Sequence, residues 1–326
     1  MSPSSFRSVL APALRAFIEH RKALGYGDCG LARLLAQFDR YLVAQERHDP
    51  LLTRELVEDW VASGVPIQPR TRVLRLHAMR ILGRFLAVTH PETYIPGPAY
   101  GPRFDSGFRP HIYTLAELDS LLAAAAQLGP RGSLRPKTFV ALLGLLYCTG
   151  LRISEALALR LADVDFTERI LWVQEGKFRK ARALPLPDDV ATALATYHDA
   201  RGAYGHDQKA SASFFVNEHR CACSYSIVCA TFLAVSRRAG LRGPPGTRGP
   251  RIHDLRHTFA VHRLLAWYRD GGDVQARLPL LSDYLGHVSL VSTQVYLEIT
   301  AELLGEAAQR FRAPAMPVGL PSGGAP

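Results

Sequence analysis

The chain has 326 residues, 48% hydrophobic and 21% charged, which suits a folded protein of about two domains at roughly 150 residues each. No stretch approaches the ~18 uninterrupted apolar residues of a membrane span, and the opening MSPSSFRSVLAPALRAF has no secretory pattern, so a cytoplasmic protein without a membrane partner is expected. Lys and Arg number 39 against 29 Asp and Glu, a formal +10 that fits a polyanionic partner but does not by itself establish one.

In chain order, apolar residues recur at helical spacing in Phe6 to Leu24, Leu31 to Val43, Leu51 to Val61 and Thr71 to Val88. Thr53 before Leu56, Val57 and Trp60 reads as the N-cap of the third helix. The fourth segment, PRTRVLRLHAMRILGRFL, carries Arg70, Arg72 and Arg75, which are candidate DNA contacts or else a solvated basic face. IPGPAYGPRFDSGFRPH, rich in Pro and Gly and without periodicity, reads as a linker, giving domains over 1–95 and 113–312 joined by 96–112. Thr114 and Glu117 have capping-box spacing ahead of the next helix.

Helices follow around Lys137 to Cys148 and Arg152 to Leu159, after which Ile170 to Val173 and Ala183 to Leu186 read as a hairpin joined by QEGKFRKARA. Phe214 to Val216 is a weak strand candidate before a helix over Ser224 to Ala239. Helices resume at Leu255 to Tyr268, near Leu278 to Leu285, at Ser289 to Glu298 and at Ala301 to Phe311, and the tail 313–326 reads as disordered. His219, Cys221, Cys223 and Cys229 lack the spacing of a zinc site, and five cysteines in all argue against a disulfide framework, so no metal is expected.

Four short patterns gain meaning together: CTGLRISEAL, EGKFRKARALPLP, HDLRHTFA and YLGHVSLVSTQVYLEI. Arg152 and Glu155 are three residues apart, as are His253 and Arg256, so each pair shares a helical face. Two convergent arginines would clamp a phosphate, because guanidinium stays protonated and matches phosphate oxygens with forked donors. His253 and His287 could donate further hydrogen bonds or handle a proton. Tyr296, nine residues after His287, supplies an attacking group. Ionising a phenol of pKa ~10 costs about 4 kcal/mol at neutral pH, which neighbouring cations would reduce. Lys177 could protonate the departing 5'-oxygen; Lys180 shares its hairpin, and Arg179, Lys180 and Arg182 read as backbone contacts or a solvated turn.

These patterns resemble the phage-integrase family of tyrosine recombinases, whose signature is an arginine in TGLRxSE, a hairpin lysine, HxLRH, LGH and a tyrosine about nine residues later. All occur here in order. The resemblance implies a mainly α fold with a small β-hairpin or sheet: a helical core-binding (SAM-like) N-terminal domain plus a mixed α+β integrase-type catalytic domain, closing as a clamp on duplex DNA. It implies that Arg152 and Arg256 bind phosphate, Lys177 is the general acid, His253 and His287 are the catalytic histidines, and Tyr296 is the nucleophile. Glu155 would support the site and His257 would be structural. It also implies strand exchange through a 3'-phosphotyrosyl bond with no cofactor, in a tetrameric synapse on double-stranded DNA. The segment AWYRDGGDVQARLPLLSDYLGH is longer than the compact family version and could shift the helix presenting His287 and Tyr296. The alternatives are a topoisomerase-like relaxing enzyme and a catalytically silent DNA-binding relative. The spacing before LGH favours a recombinase of a mobile element.

Overall fold

The structure, a computed structural model, describes residues 6–26, 29–64, 68–97, 109–174 and 181–287, together with Thr293, Tyr296 and Gly305. The chain divides into two compact units, 1–108 and 109–326.

The first unit is a helical bundle of α1 (Ala11–Ala23), α2 (Cys29–Ala44), α3 (Arg54–Ala62) and α4 (Pro69–Leu86). Its core takes one stripe from each helix: Leu14, Phe17 and Ile18; Leu35, Phe38 and Leu42; Leu56, Val57 and Trp60; Met79, Leu82 and Leu86. These steps of three, four and seven residues give one face per helix, and each fully buried Leu or Phe contributes about 1.5–3 kcal/mol. Thr53 caps α3 through its side chain, accepting from the Leu56 amide at 3.2 Å. Pro69 begins α4 where a missing N–H costs nothing.

Arg75 departs from its expected place among the DNA contacts. Its guanidinium donates to the carbonyls of Trp60 and Ser63, each at 2.7 Å, and lies over the Trp60 ring. The end of α3 leaves carbonyls exposed to side chains. Ser63 caps Trp60 O through its own amide and hydroxyl, and Arg75 adds a donor there and takes Ser63 O. Arg70 and Arg72, one turn earlier, stay exposed.

The second unit contains α5 (Leu115–Ala126), α6 (Arg135–Thr149), α7 (Ile153–Ala158), strands β1 (Val164–Asp165), β2 (Ile170–Val173) and β3 (Arg182–Pro185), then α8 (Asp188–Ala203), α9 (Tyr225–Arg238), α10 (Asp254–Arg269) and α11 (Val274–Leu285). The strands form an antiparallel sheet in the order β1-β2-β3, with Leu171 opposite Leu184 and Val173 opposite Arg182. Leu171, Val173 and Leu184 point into the core while Trp172 faces out. Helix α6 packs against α5, α8 and α10 and is apolar on several faces, burying Phe139, Leu142, Leu143, Leu145 and Leu146. The Thr114–Glu117 capping box starts α5 as the spacing predicts.

Two expectations change. Phe214 to Val216 is no strand: Phe214 and Phe215 fill the core, and only isolated bridges, Arg160 with Ser213 and Val216 with Ala222, flank them. Helix α8 goes unpredicted because its buried face, Val190, Ala191, Leu194, Tyr197, Ala200 and Arg201, includes alanines and an arginine and so contrasts little with its outer face. The hairpin turn with Lys177, Arg179 and Lys180, most of the linker, the helices expected at 289–298 and 301–311, and the tail lie outside the described residues, apart from Thr293, Tyr296 and Gly305.

Gly150 ends α6 at φ +62°, and a Cβ there would lie 2.5 Å from Phe259 Cδ1 and 2.8 Å from Leu285 Cδ2. Gly150→Ala should therefore destabilise the protein by about 2–5 kcal/mol, combining left-handed strain with overpacking. Chemical denaturation of the full chain should show this as a lower midpoint, with faster amide exchange in α6 and α10. A midpoint equal to that of wild type would contradict the close approach.

Candidate active site

Helix α11 ends at Gly286, whose φ of +66° turns the chain back so that the Gly286 and His287 amides bond to the Asp283 and Ser282 carbonyls at 2.9 Å each. That turn leaves the next carbonyls free for side chains. Three arginines from separate elements take them in succession. Arg182 Nε donates to Tyr284 O at 2.9 Å, Arg256 to Leu285 O at 2.7 Å, and Arg152 to Gly286 O at 3.0 Å.

Arg152 is placed by the left-handed turn at Gly150, which stops α6 and starts α7 with Arg152 as its N-cap. Arg256 stands on the first turn of α10, is 2% exposed, and also donates to Gly150 O at 2.7 Å. The carbonyl ends of α6 and α11 are thus joined through one guanidinium. Burial and the nearby Arg152 push the Arg256 pKa down to about 10, which still leaves it charged at neutral pH.

Glu155 supplies the opposing charge. Its buried carboxylate accepts from Arg152 Nη1 at 2.7 Å, the Arg152 amide at 3.0 Å and Arg182 Nη2 at 2.8 Å. Burial alone would raise its pKa, but the hydrogen bonds and charge of Arg182, and then the bonds from Arg152, hold it below the ordinary range. Three guanidiniums against one carboxylate leave an excess of two positive charges. Arg152, with its side chain 21% exposed, turns part of that charge toward solvent.

Around the arginines sit the histidines and Tyr296. His253 caps α10 with its ring 4.9 Å from that of His257, and the His257 ring is 5.5 Å from Tyr296. His287 lies nearly parallel to Tyr296 at 6.1 Å and shares a 2.7 Å hydrogen bond between Nδ1 and Thr293 Oγ1. When the hydroxyl donates, Nε2 carries the ring proton as a donor; when it accepts, Nε2 is free to take one. Burial, then Arg256 and Arg152, push His287 down to about 4. Partial burial, with His257 and Arg256, also lowers His253, although its ring keeps an exposed side. Both are neutral at pH 7. Burial raises the Tyr296 pKa, opposed by the nearby charges of Arg256 and Arg152, and the balance leaves the phenol protonated.

The structure therefore brings together Arg152, Glu155, His253, Arg256, His287 and Tyr296 from patterns spread over residues 150–296. Lys177, Arg179 and Lys180 lie outside the described residues. Arg182, read from sequence as a backbone contact or solvated turn, is instead inward-facing with its side chain 12% exposed and bonded to Glu155. Strand alternation carries that signal, because Arg182 shares a face with buried Leu184. Thr293, fully buried, was also passed over; its position three residues before Tyr296 is the cue. Among the described residues, no group of three or more His, Cys, Asp or Glu is arranged to hold a metal ion.

Residues 113–302, more than half of the chain, match the Phage integrase family. A Sinorhizobium fredii protein named as an integrase/recombinase, y4rB, is 36% identical over 93% of this chain and 97% of its own length. The tyrosine recombinase XerD of Bifidobacterium longum is 30% identical, covering 83% of this chain and 86% of XerD. Among solved structures, the Tn1549 transposon integrase in complex with transposon right-end DNA superposes with a TM-score of 0.66 at 15% identity, covering 94% of this chain and all of that one. XerH recombinase bound to its difH substrate gives 0.63 at 20% identity, with 86% of this chain and 78% of that one covered. The fold, the ordered motifs and these likenesses agree: the chain belongs to the phage integrase family of tyrosine recombinases, site-specific enzymes that cut and rejoin DNA.

Proposed function

We propose that Tyr296 is the nucleophile of this recombinase and that Arg152 and Arg256 bind the scissile phosphate. The observation that supports this most directly is a buried phenol flanked by the His257 and His287 rings, beside a site with net positive charge. Tyr296 Oη attacks phosphorus and passes its proton to a neighbouring histidine or water. The bond from phosphorus to the 5'-oxygen breaks, and Lys177 protonates that leaving oxygen. The 3'-phosphotyrosyl ester keeps the energy of the phosphodiester, so a 5'-hydroxyl can reverse the step on a new partner strand. His253 and His287 hydrogen-bond the non-bridging oxygens as charge gathers on them, while Glu155 holds Arg152 in orientation.

In the same reading, residues 1–95 form a core-binding domain on duplex DNA, 96–112 a linker, 113–312 the catalytic domain and 313–326 a tail. Arg70 and Arg72 meet phosphates from the exposed part of α4. Four protomers assemble on paired sites in the cytoplasm, in keeping with the lambda integrase tetramer seen on a Holliday junction, whose fold this chain resembles with a TM-score of 0.61. The resemblance to a transposon integrase supports a role in moving a mobile element.

A nicked suicide duplex carrying the recombination site should trap a denaturant-stable protein-DNA adduct. Tyr296→Phe should form none while binding the DNA as wild type does; an adduct in that variant would remove Tyr296 as nucleophile, and supercoil relaxation without recombinants would favour the topoisomerase-like alternative. His287 should couple binding to pH. Its pKa near 4 in the free protein leaves it neutral at pH 7. A bound phosphate favours the imidazolium, so binding takes up a proton and affinity rises as pH falls from neutral toward that value. Titrations at fixed ionic strength should show this rise, and His287→Gln should flatten it; an unchanged slope in the variant would contradict the contact. Replacing Arg70 and Arg72 together with Ala should weaken binding alike on all sequences. It should reduce the slope of log affinity against log salt by about 0.9 per lost phosphate contact.

A further inference from the structure

We infer that Arg182 is a positioning residue for strand cleavage, holding Glu155 and the end of α11 in the arrangement that lets Arg152 and His287 meet the phosphate. The inference rests on the reading of Arg152, Arg256, His287 and Tyr296 as the cleavage site. It gives a role to a side chain that touches none of the reacting atoms.

Arg182 is committed on both sides of its guanidinium. Nε donates to Tyr284 O at 2.9 Å, two residues before Gly286, while Nη2 and Nη1 reach the two Glu155 oxygens at 2.8 and 3.4 Å. It is seated on β3 opposite Val173, so its backbone is fixed by the sheet and its side chain spans from the sheet to the helix end. The glycine of LGH has a φ of +66°, and a Cβ there would also sit 2.8 Å from Arg182 Nη1 and push that guanidinium aside. With so little exposure and these bonds in place, Arg182 does not serve as a surface contact to DNA.

The chemistry depends on how Glu155 divides its oxygens. One takes Arg152 Nη1, while the other takes Arg182 Nη2 and the Arg152 amide. Without Arg182, the carboxylate has only Arg152 to neutralise it and draws that guanidinium into a closer pair, away from the phosphate. The same loss removes one of the cations facing His287, leaving Arg256, Arg152 and, when protonated, His257. Arg182 therefore affects both the phosphate clamp and the proton affinity of the histidine.

Single-turnover cleavage of the nicked suicide duplex, with DNA binding and thermal unfolding measured in parallel, tests this in full-length protein. Arg182→Gln should slow adduct formation by about 10- to 100-fold, the range seen for groups that orient a reacting residue, with DNA binding retained. Its pH–rate profile should be displaced to higher pH on the limb that His287 sets, because His287 has lost a neighbouring cation. Arg182→Lys should recover part of the rate, since the charge returns without the fork. Adding Glu155→Gln to Arg182→Gln should cleave faster than Arg182→Gln alone, because the unpaired carboxylate is gone. Wild-type rate and pH profile in Arg182→Gln would overturn the inference, as would a rate loss that only follows a loss of folding, with no pH displacement and no gain from lysine. A wild-type protein without adduct, or an adduct that survives Tyr296→Phe, would instead refute the site reading and the role of Arg182 with it.

Discussion

The last turn of α11 presents three carbonyl oxygens in sequence, and guanidiniums from α10, β3 and the start of α7 take one each. Three cations gathered at the end of one helix would repel one another, were it not for the carbonyl partial charges and the buried carboxylate of Glu155. Removing one partner from a buried set of this kind costs about 3–5 kcal/mol, so the set acts as a single unit. It fixes α11 against its neighbour α10 and against two elements remote in sequence, β3 and the start of α7. His287, the first residue beyond the glycine turn, takes its position from that anchorage.

The two glycine turns of the signature patterns serve this arrangement in different ways. Gly150 needs a positive φ and room for Phe259 and Leu285, and its carbonyl receives Arg256. Gly286 needs a positive φ and room for Arg182, and its carbonyl receives Arg152. Each glycine thus lies where one helix stops and an arginine from another element takes over its end. Backbone conformation and the placement of an arginine are coupled at both points, so neither glycine can be exchanged without disturbing an arginine.

Much of this was legible in the sequence because the governing signals are local. The amphipathic spacing of α1 to α4, the Thr53 cap and the Thr114–Glu117 box are all statements about residues within one or two turns of each other. The pairing of Arg152 with Glu155 follows from the same three-residue rule. What stayed hidden involves partners distant in sequence. Arg75 looks like one more cation on a basic helix until the carbonyls of α3 are seen beneath it. Arg182 looks like hairpin solvation until Glu155, 27 residues earlier, and Tyr284, 102 residues later, are found at its two ends. Charge tells little about whether an arginine faces DNA or the protein's own backbone; the location of carbonyls within its reach decides it.

The same partners set the resting state of the chemistry. Burial and the arginine charges keep His287 neutral, and burial holds the Tyr296 phenol protonated despite Arg256. An uncombined site therefore has excess positive charge and an unionised phenol at Tyr296. On the proposed reading, a phosphate diester supplies the missing anion: it neutralises part of the arginine field and favours proton donors on the histidines, while its developing negative charge in the transition state is met by donors already in place. Stabilising that charge, rather than ionising the tyrosine in advance, is then the work the proposed site does. A freely ionised tyrosine among arginines would pair with them instead, leaving less positive charge for the phosphate. Holding the phenol neutral until the diester is bound keeps the guanidiniums available to it.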